Sequence, residues 1–186
     1  MVISGTVGID LDWSDLQRRI DASPVPRPTA FQVFGHAVAK AAGRNPRFRS
    51  VMLGDDRMRE YESLNVGIAI ARPNDELVIA VVRNAAQRSL SDFVRECQKQ
   101  MRTAIRTGDQ AREDTQILLT HLGEFGVVDA VPTLVAPANA VFFLGAPPRH
   151  GNSVRVALTF DHRIVNGAAA AACLADLARE LAAGMP

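Results

Sequence analysis

Few side chains in this sequence combine a reactive group with a position that could expose it. His162 follows the alternating run Val154, Val156, Leu158, Phe160. A neutral imidazole with a pKa near ~6.5 can take a proton from a thiol or hydroxyl within hydrogen-bond reach at neutral pH. Thr120 and His121 close another apolar run and offer a hydroxyl and a second imidazole. Cys97 and Cys173 fall on apolar helical stripes, so both read as buried thiols rather than a nucleophile or a disulfide. The four histidines and two cysteines show no metal-ligand spacing, so no metal is expected. On residue type alone His162 is a loop histidine and Thr120 a strand threonine.

The elements that position these residues can be read from periodicity. Residues 153–160 alternate, with Ser153, Arg155, Ala157 and Thr159 opposite the apolar set, which predicts a strand ending just before His162. Asn166-Gly167 then opens an alanine-rich helix with Cys173, Leu174, Leu177 and Leu181 on one stripe, and Asn166 is a good N-cap. Upstream, residues 2–11 read as a strand, and Ser14 with Gln17 suggests a capping box for a short helix. The Pro24, Pro26, Pro28 run breaks that helix, and Thr29 caps the next one, which stops at Gly43. Residues 47–62 predict a strand pair about the Gly54-Asp55-Asp56 turn, with the last strand polar and at a sheet edge or surface. The runs 65–71 and 77–82 are apolar without alternation, so both are expected to be central strands, joined by a hairpin-like turn at Arg72-Pro73-Asn74-Asp75-Glu76. Ser89 or Ser91 opens the longest helix, which Gly108 ends, and 115–120 and 140–145 read as further strands. Strands with interspersed helices and hairpin-like links give an α/β class with a mixed β-sheet covered by helices.

Length and charge narrow the function classes. A chain of 186 residues is one domain by the usual prior and can bury a sizeable core. A net charge of +1 with interspersed signs gives no electrostatic case for nucleic acid or an acidic membrane. The N-terminus has no basic region followed by an apolar core, and nowhere do eighteen apolar residues run together, so a soluble cytoplasmic protein is expected. The lysines are Lys40 and Lys99, and neither stands in the Asp-Lys-Ala context of a lipoyl attachment site, so no covalently bound lipoyl group is expected on this chain.

The run Leu158-Thr-Phe-Asp-His162-x-x-x-Asn166-Gly167, followed by a C-terminal helix, resembles the His-x-x-x-Asp-Gly signature of the acyltransferase (E2) catalytic domain of 2-oxoacid dehydrogenase complexes. The chloramphenicol acetyltransferase group shares that signature more distantly. Three further segments resemble the family in the same order. They are Asn65-Val-Gly-Ile-Ala with Leu77-Val-Ile-Ala-Val-Val, then Leu118-Leu-Thr-His-Leu-Gly-Glu-Phe-Gly126, then Pro137 to Gly145. The likeness implies a chloramphenicol acetyltransferase-like two-layer sandwich spanning 1–186, without a lipoyl or peripheral subunit-binding domain. It also implies a homotrimer with each active-site channel between two subunits, coenzyme A or acetyl-CoA entering from one side and the acyl acceptor from the other. By residue match His162 is the general base. Thr120 matches the hydroxyl that a neighbouring subunit supplies to the tetrahedral oxyanion, a donor worth roughly 3 kcal/mol. Asn166 completes the signature, and His121, Asp161 and Gly167 are candidate channel residues beside them.

The sequence departs from the pattern at Asn166, where the family has an aspartate paired with an arginine expected near the N-terminus of the domain. The first residues here already match the family's first long strand, so that arginine is expected to be missing, and a neutral amide needs only hydrogen bonds where an unpaired carboxylate would be costly. His121 stands in place of a usual asparagine, and His36 and His150 read as helix and loop positions without a role. These features favour a stand-alone CoA-dependent acetyltransferase acting on a hydroxyl of a small-molecule biosynthetic intermediate. The alternatives are a dihydrolipoamide acyltransferase core and a trimeric scaffold with a dead site.

Overall fold

The computed structural model describes residues 3–54, 56–74 and 76–183. Val2 of the first predicted strand, and Asp55 and Asp75 of the two predicted turns, lie outside the described residues. Eight strands and four helices follow in the order β1 (Ser4–Asp12), α1 (Trp13–Ala22), α2 (Ala30–Gly43), β2 (Ser50–Leu53), β3 (Arg57–Glu60), β4 (Val66–Arg72), β5 (Glu76–Val82), α3 (Leu90–Thr107), β6 (Ile117–His121), β7 (Ala140–Leu144), β8 (Ser153–Asp161) and α4 (Gly167–Ala182). Six strands form one mixed sheet in the order β1-β8-β7-β6-β4-β5, and β2 and β3 form a separate hairpin. Strands β4, β6 and β7 are parallel to one another, while β1, β8 and β5 run antiparallel to their neighbours.

The helices cover one face of the sheet. Helix α2 lies deepest: ten of its fourteen residues are buried, including Phe34 and Val38, and Thr29 and Gln32 close a capping box at its start. The main core joins α2 to Leu119, Phe142, Val156, Leu158 and Phe160 of the sheet and to Leu174, Leu177 and Leu181 of α4. Cys97 and Cys173 sit in this core, and burial pushes both thiols up to about 12, so neither is a nucleophile at neutral pH. The opposite face carries a smaller cluster, Ile79, Val81, Leu118 and Val141, with Ala138 and the loop residues Ala111 and Leu134 against it.

Two local expectations are corrected. The first helix is capped by Asp12 rather than Ser14: an Asp12 carboxylate oxygen accepts from the Ser14 N–H at 2.9 Å and from its hydroxyl at 2.7 Å, which starts the helix two residues earlier. Strand β5 is an edge strand, not a central one. Its apolar run is explained by cover on both faces and along its free edge. Helix α3 packs on it, and the Ile79 N–H donates to the Asp109 carboxylate, the Val81 N–H to the Gln110 side chain, and the Gln110 N–H to the Ile79 carbonyl. A short loop thus satisfies an edge that a further strand would otherwise pair.

Candidate active site

His162 is the first residue past β8, and its side chain is exposed. Its backbone is fixed, because its N–H donates to the Ile3 carbonyl at 2.7 Å, extending the β1–β8 ladder by one step. The imidazole lies against Phe160, ring centroids 5.5 Å apart. Gly5 supplies the room: a Cβ there would stand 2.8 Å from the Phe160 ring and 3.2 Å from His162 Cδ2. An isolated glycine inside a strand marks such a close approach, and it was the readable signal for a residue that motif spacing does not reveal.

The turn around His162 is held from within. Asp161 is buried, its N–H donates to the Asn139 carbonyl at 2.7 Å, and its own carbonyl accepts from the Ile164 and Val165 N–H groups. Arg163 donates to both Asp161 carboxylate oxygens through Nε, at 3.0 and 3.1 Å, and its backbone N–H donates to one of them. Burial opposes ionisation of Asp161, but the hydrogen bonds and positive charge of Arg163 outweigh it and hold the carboxyl below its ordinary pKa. Asp161 is therefore a buried strut of the turn, and the expectation that it lines a channel is corrected. Asn166 caps α4, its Oδ1 accepting from the Ala169 N–H at 2.8 Å. Gly167 is the first residue of that helix and has open space around it, so neither packing nor backbone angle demands a glycine there.

Thr120 lies far from this turn. It pairs with Phe143, which pairs with Ala157, five residues before His162. At about 3.3 Å per residue and about 4.8 Å per strand, the two side chains of one chain stand roughly 19 Å apart, at opposite ends of the sheet. Strand alternation sends Leu118 and Thr120 to the smaller cluster's face and Leu119 and His121 to the helix face. Within one chain His121 therefore points away from the Thr120 hydroxyl. His121 Nδ1 donates to the Leu144 carbonyl at 2.9 Å, and the ring stacks on Phe31 at 5.4 Å and 18°. A Cβ on Gly123 would collide with the same ring, so Gly123 lets the chain turn tightly around it.

The family model described as the 2-oxoacid dehydrogenases acyltransferase catalytic domain matches residues 14–184. The chain belongs to this family. The dihydrolipoyllysine-residue acetyltransferase component of the acetoin cleaving system of Bacillus subtilis is 29% identical over 168 residues, 79% of this chain and 42% of that protein. The chain therefore spans less than half the length of that relative. A crystal structure of Azotobacter vinelandii dihydrolipoamide acetyltransferase superposes with a TM-score of 0.82 at 23% identity, covering 97% of this chain and 82% of that one. That structure addresses the roles of a serine, a histidine and an asparagine four positions after the histidine in that enzyme's catalytic mechanism. Chloramphenicol acetyltransferase superposes with a TM-score of 0.66 at 15% identity, covering 96% of this chain and 88% of that one. The two-layer chloramphenicol acetyltransferase-like fold expected from the sequence is thus the observed one, and the chain is an acyltransferase catalytic domain of the 2-oxoacid dehydrogenase type.

In an acyltransferase domain the arrangement has a definite chemical capacity. An exposed imidazole on a rigid turn can exchange protons with an acceptor, and a hydroxyl at the far end of the sheet can donate only to a substrate bound there. His36 has no such access: it is buried in α2, its Nε2 lies 3.0 Å from the Arg88 carbonyl, and burial lowers its pKa. His150 lies in the exposed loop before β8. Among the described residues no group of three or more His, Cys, Asp or Glu side chains could hold a metal ion.

Proposed function

We propose that this domain transfers an acetyl group between coenzyme A and the thiol of a dihydrolipoyl group, in an active site formed where two copies of the chain meet. His162 of one copy takes the proton of the acceptor thiol, and the thiolate attacks the thioester carbonyl of acetyl-CoA. The tetrahedral oxyanion accepts a hydrogen bond from the Thr120 hydroxyl of the neighbouring copy. As the carbonyl reforms, the bond to the CoA sulfur breaks, and that thiolate recovers the proton from His162. Every step reverses, so the domain can also load CoA from an acyl-dihydrolipoyl group.

The observation that carries this reading is the separation of Thr120 from His162 within one chain. A base and an oxyanion donor must both lie within about 3 Å of the reacting atoms, so a site using both draws them from two chains. A closed ring of three copies, each giving its His162 end to the next copy's Thr120 end, makes three equivalent seams. The exposed loop side chains Phe125, Val128 and Val131 supply apolar surface for such a contact. The relatives named above act on dihydrolipoyl groups, which favours a thiol acceptor over the hydroxyl of a biosynthetic intermediate. An asparagine four positions after the histidine also stands in the named Azotobacter enzyme, which supports an active site here rather than a decayed one.

The test is a CoA-release assay with acetyl-CoA and free dihydrolipoamide. Activity that falls at least about 100-fold in His162→Ala fits a general base. Activity with hydroxyl acceptors alone would restore the biosynthetic reading. Absence of both activities, in an assembled protein, would leave a scaffold.

A further inference from the structure

Helix α3 carries a second feature, separate from the acyl-transfer site. Arg95, Lys99, Arg102 and Arg106 are all exposed and recur at i, i+4, i+7 and i+11, so they form one stripe along its solvent face. At 1.5 Å per residue the stripe is about 17 Å long. Cations three and four residues apart repel, each contact weakening a helix slightly, and no carboxylate interrupts the run from Lys99 onward. The two acidic residues of the helix are engaged: Asp92 with Ser89 and Arg95, and Glu96 with Gln100 and Arg88. Among the described residues the side chains of Lys99, Arg102 and Arg106 have no carboxylate partner. The helix dipole favours Arg106 in the last turn but does nothing for Lys99 in the middle. Two other exposed helical arginines are paired three residues away, Arg18 with Asp15 and Arg179 with Asp176. The stripe is thus a local departure from the charge balance of the chain.

An apolar cavity of about 500 Å³ opens at the N-terminal end of the same stripe, between α3 and the proline-rich connector after α1. Pro24, Val25, Pro26, Leu90 and Val94 give it its apolar walls, and Arg95 belongs to both its rim and the stripe. A volume of this size, within the range of small-molecule pockets, admits a large apolar side chain with room to spare. Ile105, half exposed, adds an apolar contact toward the other end. A row of cations at helical repeat, ending in an apolar socket, complements a helix that repeats carboxylates at the same interval and carries one large apolar residue beyond them.

We propose that the α3 stripe and its adjoining cavity dock an acidic amphipathic helix of a partner protein. The surface is independent of the transfer chemistry, since none of its residues belongs to the His162 or Thr120 ends of the sheet. Single-stranded nucleic acid would call for aromatic stacking platforms between the cations, and α3 offers none there. An anionic membrane would call for a broad apolar face beside them, whereas among the described residues the apolar feature adjoining the stripe is this one local cavity.

The test uses the intact protein and a fluorescein-labelled helical peptide of eighteen residues, with glutamates at i, i+4, i+7 and i+11 and one phenylalanine a turn beyond. Fluorescence anisotropy at low salt should show binding that weakens about ten-fold or more in Lys99→Glu/Arg102→Glu. Both side chains are exposed, so the variant should keep its fold by circular dichroism and its transferase activity. A scrambled peptide of equal charge, and the parent with serine for phenylalanine, should bind more weakly. Equal binding of the scrambled peptide, unchanged binding by the double variant, or tighter binding of phosphatidylserine vesicles or single-stranded DNA would overturn the proposal.

Discussion

The separation of Thr120 from His162 leads to a quantitative prediction about mixed assemblies. Neither side chain can serve the other's substrate within one chain, because five residues of β8 and two strand spacings lie between them. Removing the Thr120 hydroxyl should cost about 10²–10³ in kcat, and removing the His162 base about 10²–10⁴, so each variant alone retains at most about one per cent. Suppose Thr120→Ala and His162→Ala chains are unfolded, mixed in equal amounts and refolded together. A seam is intact only where a Thr120→Ala copy gives the histidine and a His162→Ala copy gives the hydroxyl. With random mixing that is one half times one half, so about one seam in four recovers. The same fraction holds for any closed ring, so the result does not depend on the number of copies. Acetyl-CoA and dihydrolipoamide turnover should therefore rise from about one per cent to about 25 per cent of wild type. If the mixture stays at the mean of the two variants, the base and the hydroxyl do not meet across a seam, and the reasoning is refuted.

Four further outcomes follow from local geometry. Gly5→Ala places a Cβ against Phe160 and His162, so kcat should fall while the melting temperature moves by only a few degrees; unchanged kcat would show that the imidazole does not need its present seat. Asn166→Ala removes the α4 cap and should cost about 1 kcal/mol, or about 2–4 °C in Tm, whereas Asn166→Asp keeps the cap and should melt near wild type. Asp161→Asn weakens the clamp on Arg163 and should lower kcat with little change in KM, since the turn that orients His162 loosens but no substrate contact is lost. Burial lowers the pKa of His36, so below about pH 6.5 the unfolded chain binds a proton that the folded chain refuses. Stability should therefore fall as pH drops from about 6.5 toward the lowered folded pKa, and His36→Gln should flatten that part of a urea-midpoint profile.

Much of the fold was legible because its signals are periodic. Alternation in residues 153–160, capping at Thr29, Ser89 and Asn166, and the apolar stripes of α2 and α4 all correspond to observed elements. What the sequence hid is what depends on distant partners. An apolar run reports burial, not position in the sheet, so β5 read as central although its edge is sealed by Asp109 and Gln110. Asp12 outcompeted Ser14 as a cap because its carboxylate reaches both the N–H and the hydroxyl of Ser14. Adjacency in sequence does not bring the Thr120 and His121 side chains together, since neighbours in a strand face opposite ways. Asn139, which holds the Asp161 N–H and donates to the Arg47 carbonyl at 2.8 Å, had no local signal at all.

These contacts also explain how the signature can carry an amide at position 166. A carboxylate there would need a cationic partner if buried, but Asn166 is exposed and its side chain has one evident task, accepting the Ala169 N–H. The shape of the histidine turn does not hang on that residue. It is set by Asp161 and Arg163 inside the turn, by Asn139 behind it, and by the Ile3 carbonyl that extends the β1–β8 ladder through His162. The ion pair that braces the turn joins residues two apart in sequence, beside His162. Because the local pair moves with the turn, it can keep the imidazole oriented without help from position 166.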